Sequence, residues 1–493
     1  MSRFLFADYP AAPADEAVGP EGRLRDGYAA LGSGLESLGV AGLTAAAAAM
    51  AAERDARGVT VASWADGRQT VRPYLLDPVP WVVRAADWAR IEAGVEQRHR
   101  ALNAFLAEAY RPAGRRRGDT DRAPEVVRAG VLPEWAVAHS PGREPNAVGQ
   151  AWPGQARAGL AATDVLRTAG GTWLVAKDHL RVPAGLGYAI ANRDSMRAAV
   201  PGLFPGRAGP ADPADALTLL RAGLRAAASP ACAGTPRIAV LSGGPSDNTW
   251  FEHGLLAGAL GVPLARAADL WPRTDGGIEV AVGGERRPVD VLYRRVDDGM
   301  LAASRTPSGQ PLDALLTEAV RAGRLGLVNV PSNGTADDAA AYAWVPAMIR
   351  FYLGEEPLLG SIPTWVLADE GQWAEVRDRL HELVLRPVAG YGGRGAVFGP
   401  SCTADQLAAL QAEVAAAPYR FVAQEPVDTS TAPTLVDGTL QPRHVDLRVF
   451  SVALGGGTVS VLPAPLTRVA LGAGPGSAGA DRGGAGKDTW LLG

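Results

Sequence analysis

The sequence predicts an α+β fold with a helical N-terminal region, and three observations support that prediction. Alanine- and leucine-rich stretches over 22–55, and apolar residues at helical spacing over 86–110, indicate helices early in the chain. From residue 160 onward, short β-like runs alternate with helical segments. In the last third, strands flank a glycine-rich segment, which is typical of a mixed sheet that holds a ligand.

These patterns divide the 493 residues into three parts. Residues 1–125 are the helical N-terminal region, residues 126–360 a central α/β domain, and residues 361–493 a subdomain around the glycine-rich segment. The central strands are predicted from four apolar runs. They are "TWLVA" (172–176), "RIAVLSG" (237–243), "VDVLYRRV" (289–296) and "GLVNVP" (326–331).

Composition excludes several classes of function. The net charge of −4 gives no basic field for binding nucleic acid. Cys232 and Cys402 form no CxxC pair and the six histidines are scattered, which argues against a zinc site or a disulfide framework. The N-terminus has no signal-peptide pattern, and the alanine-rich run near residue 45 is too short and too weakly apolar for a membrane span. We therefore expect a cytoplasmic protein that binds neither nucleic acid nor membrane.

The glycine-rich segment "LRPVAGYGGRG" (385–395) follows an apolar run suited to a buried strand. A strand that leads into a glycine-rich turn flanked by positive charge can hold the phosphates of a nucleotide. The segment matches neither the P-loop pattern nor GxGxxG, so a plain turn between strands is an equally good interpretation.

A second group of charges lies on a predicted strand, "RHVDLRVF" (443–450). Asp446 and Arg448 are two residues apart and share one face of that strand, while the apolar residues between them face the other way. The next strand carries Arg468. A charged stripe of this kind is usually a solvated face, but arginines that converge near a glycine-rich segment would also suit recognition of phosphate or carboxylate.

Two further motifs have simple structural interpretations beside functional ones. "GPSDNTWFEHGLLAGALG" (244–261) stands at a strand-to-helix junction, where a helix cap accounts for its polar residues as well as a substrate loop does. "YRRVDD" (293–298) places two carboxylates next to two arginines, and a surface salt-bridge cluster is its default interpretation.

Taken together and in order, the motifs resemble one family. "LRVPAGLGYAIANR" (180–193), "GPSDNTWFEH", "YRRVDD", "NGTADDAAAYAWVPAMIRFYLGEEPLL" (333–359), the glycine-rich segment, "RHVDLRVF", "LTRVAL" and "GKDTWLL" follow one another as in the circularly permuted ATP-grasp family, type 2. The resemblance covers nearly the whole chain. It implies a permuted ATP-grasp fold, related to that of glutathionylspermidine synthase. The implied chemistry is ATP-dependent amide formation through an acyl phosphate.

The resemblance also implies roles for individual residues, with residues 126–360 on the substrate and metal side and 361–493 on the nucleotide side. Arg448, Arg468 and Arg167 would be catalytic. The nucleotide would contact Arg386, Gly390, Gly392, Gly393, Gln424, Glu425 and Lys487. The substrate, a small molecule or peptide, would contact Ser246, Asn248, Glu252, Arg181, Arg295 and Asp298. Mg²⁺ would be held by Asp178 and Asp446.

Several positions depart from the family pattern. Where the family has an acidic-Asp-Asn triplet that ligates magnesium, this chain has Lys177-Asp178-His179. The family's Arg-Asp pair is Arg167-Thr168, and its nucleotide-contacting lysine is Ala339. Arg386 replaces a lysine but keeps the charge, and of the 48 basic residues only Lys177 and Lys487 are lysines, so compositional bias accounts for it.

Two hypotheses follow. In the first, the chain is an ATP-dependent carboxylate–amine ligase that uses ATP and Mg²⁺. In the second, it is a degenerate paralogue that binds a ligand or a partner protein without turnover, beside an intact ATP-grasp homologue. Loss of a phosphate-contacting cation and of a magnesium carboxylate removes transition-state stabilisation, so weak or absent Mg·ATP turnover is predicted.

Overall fold

The computed structural model describes residues 5–19, 21–65, 68–112, 123–204, 210–389, 395–472 and 484–492. The α+β prediction is confirmed, because the described residues combine helices with several separate sheets. Gly390, Gly392 and Gly393, predicted to contact a nucleotide, lie outside the described residues.

The N-terminal region contains the two long helices that the sequence patterns predict, together with three strands that they do not. The third strand reads "LDPVPWVV" and is buried at every position, which is typical of a strand covered on both faces. The elements are α1 (Asp26–Ala56, with non-helical backbone at Gly39), β1 (Thr60–Ala65), β2 (Arg68–Pro73), β3 (Leu76–Val83) and α2 (Ala85–Ala109).

The prediction that the alanine-rich run is too short and too weakly apolar for a membrane span is wrong on both criteria. One helix in the described part of the chain, Leu31–Ala56 within α1, is long and apolar enough to cross a membrane by length and composition. The core helix of a globular protein passes the same test. Leu35, Leu43 and Met50 of this helix are buried in a hydrophobic cluster that also contains Val79 and Val82 of β3. Packing against the sheet therefore accounts for the apolar residues on one side of α1.

The largest sheet has the strand order β13-β5-β4-β19-β21-β22-β3, with β18 and β20 also paired to β19. β19 runs through 17 residues and is antiparallel to β4, β18, β20 and β21. β22 pairs with β3 in parallel. Besides β3, the strands of this sheet are β4 (Leu160–Arg167), β5 (Trp173–His179), β13 (Gly360–Ser361), β18 (Thr431–Val436), β19 (Thr439–Gly455), β20 (Thr458–Val461), β21 (Leu466–Val469) and β22 (Ala485–Leu491).

A second sheet is parallel, with the strand order β12-β11-β6-β7. A three-stranded antiparallel meander, in the order β10-β9-β8, comes between β7 and β11 in the sequence. Helices connect the parallel strands, as such connections require. The strands are β6 (Ile238–Leu241), β7 (Leu264–Ala265), β8 (Leu270–Pro272), β9 (Ile278–Val282), β10 (Glu285–Val289), β11 (Val291–Arg294) and β12 (Gly326–Val328). The α-helices between α2 and β12 in the sequence are α3 (Glu125–Arg128), α4 (Glu134–Ala138), α5 (Leu186–Ala199), α6 (Ala216–Ala226), α7 (Trp250–Leu260), α8 (Asp298–Ala303) and α9 (Leu312–Arg321).

A small antiparallel sheet, in the order β14-β17-β15-β16, follows helix α10 and faces the hairpin β4–β5 across a cleft. Asp338 caps the start of α10 by accepting from the Ala341 N–H at 2.7 Å, and Gly354 ends that helix in the left-handed region with φ 65°. The elements are α10 (Ala339–Leu353), β14 (Thr364–Val366), α11 (Glu370–Val376), β15 (Val384–Pro387), β16 (Val397–Phe398), α12 (Ala404–Ala416) and β17 (Phe421–Gln424).

Candidate functional site

The cleft between β5, the start of α10 and the small sheet brings together residues from distant parts of the sequence. The space between its walls is about 540 Å³ when the open solvent at its mouth is included. Two predicted nucleotide contacts, Arg386 and Gln424, line it. Its other polar and aromatic lining residues are Lys177, Asp178, Asp337, Asp338 and Tyr342.

Lys177 is a half-buried cation on the wall of this cleft. It is the cross-strand partner of Asp164 in the β4–β5 hairpin, and it shares the cleft wall with Asp337. Burial lowers the pKa of its ammonium, and Asp337 and Asp164 oppose that effect. Lys177 therefore stands with two carboxylates at the position where the family pattern has an acidic residue.

Asp337 binds the loop that follows β5. Its Oδ2 accepts from the Leu180 N–H at 2.7 Å and the Arg181 N–H at 3.1 Å, and its Oδ1 pairs with the Arg181 guanidinium at 3.3 Å. Burial alone would raise the pKa of Asp337, but Arg181 and Lys177 outweigh burial and hold it below the ordinary value. The predicted substrate residue Arg181 is thus placed beside the cleft through Asp337.

Asp338 has no cationic partner among the described residues, whereas Asp337 pairs with Arg181. Its carboxylate accepts from the Ala341 N–H and from the Ser140 hydroxyl at 2.6 Å. Burial raises the pKa of Asp338 to about 7, with the charge of Asp337 adding to the rise and the two hydrogen bonds opposing it. A carboxyl group that titrates near neutral pH therefore lines the cleft.

The small sheet supplies the opposite wall. Arg386 and Pro387, at the end of β15, line the cleft, and so does Ala396, so both flanks of the glycine-rich segment reach it. The Gln424 side chain donates to Thr364 Oγ1 at 3.0 Å. Glu425 pairs with Arg379 at 3.2 Å and does not line the cleft, unlike the adjacent Gln424.

A charged cluster lies on the face of the large sheet next to Lys177, and Asp164 is its centre. Arg448 forms a bidentate pair with Asp164, at 2.7 Å and 2.9 Å, and Arg468 contacts the same carboxylate at 3.0 Å. Arg468 also binds Asp446 at 2.6 Å, and His179 Nε2 lies 2.9 Å from Asp164. The structure thus brings together the predicted catalytic residues Arg448 and Arg468.

The electrostatics of the cluster follow from its burial. Burial would raise the pKa of Asp164, but Arg448, Arg468 and His179 hold it well below the ordinary value. Burial raises the pKa of Asp446, against the opposing charge of Arg468. Asp164 is missing from the sequence predictions, although a carboxylate inside the buried run "LAATDVLR" signals a charged partner.

The two predicted magnesium carboxylates are each engaged by an arginine. The Asp178 carboxylate accepts from Arg98 Nε at 2.8 Å and 2.9 Å, and Arg98 Nη2 forms an ion pair with it at 2.8 Å. Both side chains are buried. Asp446 is paired with Arg468. Within the described ranges, no group of three or more His, Cys, Asp or Glu side chains is arranged to hold a metal ion.

The predicted catalytic residue Arg167 is not part of the Asp164 cluster. It lies three residues further along β4, or roughly 10 Å at the rise of a strand. Its Nη1 pairs with Glu16 at 2.9 Å, and both residues line a different cavity. The family resemblance implies a catalytic role for Arg167 together with Arg448 and Arg468, and the structure does not bring Arg167 to those two residues.

Lys487, predicted to contact a nucleotide, is fully buried within the large sheet. Its ammonium donates to the Asp77 carboxylate, to the Val79 carbonyl oxygen at 3.1 Å and to the Pro433 carbonyl oxygen at 2.8 Å. These contacts use all three of its donors. The structure therefore gives Lys487 no donor for a ligand.

The remaining predicted substrate residues fall into separate places. Glu252 and Arg295 form a buried pair at 3.0 Å, and Glu252 also accepts from the Gly185 and Gly187 N–H groups at the start of α5. Asp298 pairs with Arg294 at 2.6 Å. Ser246 and Asn248 are exposed in the loop before α7. Glu252 and Arg295 therefore connect elements of the fold, and none of these five residues lines the cleft.

Comparison with known proteins gives consistent results. A model of the circularly permuted ATP-grasp type 2 family matches residues 80–470. A Frankia alni protein provisionally named glutamate–cysteine ligase 2-3 is 41% identical over an alignment 495 positions long, which covers 100% of this chain and 55% of that protein. An uncharacterised protein of Mycobacterium tuberculosis H37Rv is 37% identical over 487 residues, covering 99% of this chain and 85% of that protein.

Among solved structures, a glutathione synthetase-like effector from Globodera pallida, in its apo form, matches with a TM-score of 0.55. The match covers 91% of this chain and 97% of the effector, at 13% sequence identity, so it concerns the fold alone. The chain spans about half the length of the two Frankia relatives that it matches, 55% and 54%.

Proposed function

The chain belongs to the circularly permuted ATP-grasp type 2 family, and from that premise we propose that its cleft binds an adenine nucleotide without magnesium, so that ligase turnover is weak or lost. The observation that carries this proposal is Lys177. Its ammonium stands on the cleft wall, opposite Asp164 in the hairpin and near Asp337. A fixed cation at this place neutralises the carboxylates that would otherwise attract a divalent ion.

Magnesium does not fit the described residues. Mg²⁺ requires oxygen ligands, usually one or two carboxylates with water and phosphate. Asp178 is engaged by Arg98, Asp164 by two arginines, and Asp337 by Arg181 and backbone N–H groups. A metal ion would have to displace an arginine from each of these three carboxylates.

A nucleotide fits the cleft better than the metal does. Arg386 and Lys177 provide positive charge on opposite walls, as phosphate groups require. Gln424 provides a polar side chain at the end of β17, and Tyr342 an aromatic surface. In ligases of this fold, bound ATP supplies the phosphoryl group that activates a carboxylate for attack by an amine. Here the residues present hold and orient the nucleotide's anionic groups.

A working ligase is the second candidate, and one observation favours it. Arg448 and Arg468 share Asp164 on the sheet face beside Lys177, which is a suitable position for steadying an acyl phosphate. The substrate would then be a small molecule or peptide, and the name of the Frankia relatives suggests an amino acid. Without turnover, the chain would instead act as a ligand-binding or scaffold subunit beside an intact ATP-grasp homologue.

Calorimetry with ATP, in EDTA and in excess Mg²⁺, separates the two candidates. We expect binding in EDTA with an affinity within about threefold of that in Mg²⁺, and no ATP hydrolysis. Arg386→Gln should weaken binding about tenfold, since a charged contact to phosphate is lost. Arg377→Gln, on an exposed arginine outside the cleft, is the matched control and should bind normally. Tight binding only with Mg²⁺, with hydrolysis coupled to amide formation, would establish the working ligase instead.

The titration of Asp338 predicts how nucleotide affinity depends on pH. Below the pKa of about 7 the carboxyl is neutral, and above it the cleft gains a negative charge that repels an anionic ligand. We expect affinity for ATP in EDTA to fall about three- to tenfold between pH 6 and pH 8. In Asp338→Asn, which keeps an acceptor for the Ala341 N–H, this fall should be absent. The terminal phosphate of ATP also titrates, with a pKa of about 6. It does so equally when ATP binds the unaltered chain and Asp338→Asn, so it does not account for a difference between them. Equal pH profiles would contradict the assignment.

A further inference from the structure

Tyr342 and Gln424 are the uncharged polar side chains among the described residues that line the nucleotide cleft. The Tyr342 hydroxyl is already engaged on both sides. It donates to the Val175 carbonyl oxygen at 2.5 Å and accepts from the Ile362 N–H at 2.7 Å, so Tyr342 offers the cleft its ring. Gln424 is therefore the uncharged side chain of this lining that can form a hydrogen bond with a ligand.

The amide of Gln424 is held by Thr364, its neighbour in the small sheet. The two residues lie directly opposite each other on the antiparallel strands β17 and β14, so their side chains share one face. Gln424 Nε2 lies 3.0 Å from Thr364 Oγ1, and that hydroxyl lies 2.8 Å from the Ile362 carbonyl oxygen. One hydroxyl thus links the amide to the segment that leads from β13 to β14.

These hydrogen bonds fix which end of the amide faces Thr364. A carbonyl oxygen has no proton to donate, so the Thr364 hydroxyl must give its single proton to Ile362. Toward Gln424 the hydroxyl can then only accept, and the group that faces it must be the amide NH₂. Gln424 Oε1 points away from Thr364. It has no partner among the contacts of the described residues, and it is not one of the enclosed atoms that lack a partner, so it is an acceptor open to the cleft.

An open acceptor distinguishes nucleobases by the group that they present to it. Adenine carries an exocyclic amino group on the edge where guanine and hypoxanthine carry a carbonyl oxygen. The amino group can donate to Gln424 Oε1. A carbonyl oxygen would instead bring two acceptors together and leave both without a donor, and such unpaired polar groups discriminate strongly between ligands.

We propose that Thr364 is a positioning residue that sets the base selectivity of the cleft. It holds Gln424 with the acceptor toward the ligand, and so favours a nucleotide whose base has an exocyclic amino group over one with a carbonyl oxygen at the same place. This role rests on the proposed function, because it requires that the cleft binds a nucleotide. It extends that function to a residue that does not itself line the cleft.

Calorimetry with ATP and ITP, both in EDTA, tests this selectivity on the unaltered chain. The two nucleotides carry the same triphosphate and differ on one edge of the base, where ATP has the amino group and ITP the carbonyl oxygen. ATP should bind at least about tenfold more tightly than ITP. Purine riboside triphosphate, which has neither group, should bind with an intermediate affinity.

The same measurement distinguishes failure of the selectivity from failure of the proposed function. Equal affinities for ATP and ITP would overturn the role of Thr364 and leave nucleotide binding intact. If none of the three nucleotides bound, the proposed function would be wrong, and the role of Thr364 with it.

Variants then assign the selectivity to Thr364. Thr364→Val keeps the shape of the side chain but removes the hydroxyl, so the Gln424 amide can present either end. ATP should bind about threefold more weakly and ITP more tightly, which brings the two affinities within about threefold of each other. Thr364→Ser keeps the hydroxyl and should keep the preference for ATP. Thr274→Val, on an exposed threonine outside the cleft, is the matched control and should also keep it.

The ratio of the two affinities separates positioning from a general structural effect, which would weaken both nucleotides alike. Thermal melting checks that each variant is folded. Should Thr364→Val unfold, Thr364→Cys takes its place, because a thiol is a weak acceptor, and the same loss of preference is expected. An unchanged preference for ATP in the folded variant would contradict the role of Thr364.

Discussion

Replacement of Lys487 by methionine is expected to lower the free energy of unfolding by about 3–5 kcal/mol. The ammonium joins Asp77, the Val79 carbonyl and the Pro433 carbonyl, and so connects strands from both ends of the chain. Its removal leaves the Asp77 carboxylate buried, and its remaining partners among the described residues are the Val79 and Leu435 N–H groups. Urea denaturation followed by circular dichroism measures the effect.

The double variant Asp77→Asn with Lys487→Met is the control for this prediction. Because it removes both charges, it should lose less stability than the sum of the single variants, with a coupling of about 1–3 kcal/mol. Lys487→Met should also leave ATP binding unchanged in any fraction that remains folded. If the variant were as stable as the parent but failed to bind ATP, the nucleotide role first predicted for Lys487 would stand.

Replacement of Lys177 by glutamate is expected to make nucleotide binding dependent on magnesium. The change removes a cation and adds a third carboxylate near Asp164 and Asp337, which produces the oxygen-rich surroundings that Mg²⁺ prefers. In EDTA, charge reversal should weaken ATP binding at least about tenfold. In excess Mg²⁺, binding should recover about 10- to 100-fold relative to EDTA. Calorimetry under the two conditions gives both values.

Lys177→Met separates loss of the cation from gain of a ligand. It should weaken ATP binding without creating a response to Mg²⁺, because no oxygen is added. If Lys177→Glu stayed insensitive to Mg²⁺ while still folded, the arginines on Asp164 and Asp178 would be the groups that exclude the metal. If the unaltered chain already responded to Mg²⁺, the proposed function would be wrong.

The fold could be predicted from the sequence because its evidence is local and ordered. Helical spacing over 86–110 and the order of motifs from 180 to 492 each indicate structure without knowledge of distant contacts. The pairing of β3 with β22 could not be predicted in this way. Strands joined across more than 400 residues leave no periodic signal, and "LDPVPWVV" contains two prolines that argue against a strand.

The candidate site was predicted less completely than the fold. Arg386, Gln424, Arg448 and Arg468 lie at or beside the cleft because their motifs mark strand ends and one strand face. Asp164 was missed, and Arg167 pairs with Glu16 away from Arg448 and Arg468. A sequence shows which side chains are charged, but the partner that decides whether a charge binds a ligand or supports the fold comes from another part of the chain.

The order of strands in the largest sheet has a consequence for how the protein reaches its folded state. β19, β21 and β22 lie between β4 and β3 in space, although they are made after more than 400 residues of chain. During synthesis, one edge of β3 and one edge of β4 therefore stay unpaired until those later strands leave the ribosome. Such long-range closure is slow and leaves strands open to aggregation, so synthesis of this protein is expected to depend on chaperones more than that of a protein with local strand pairing.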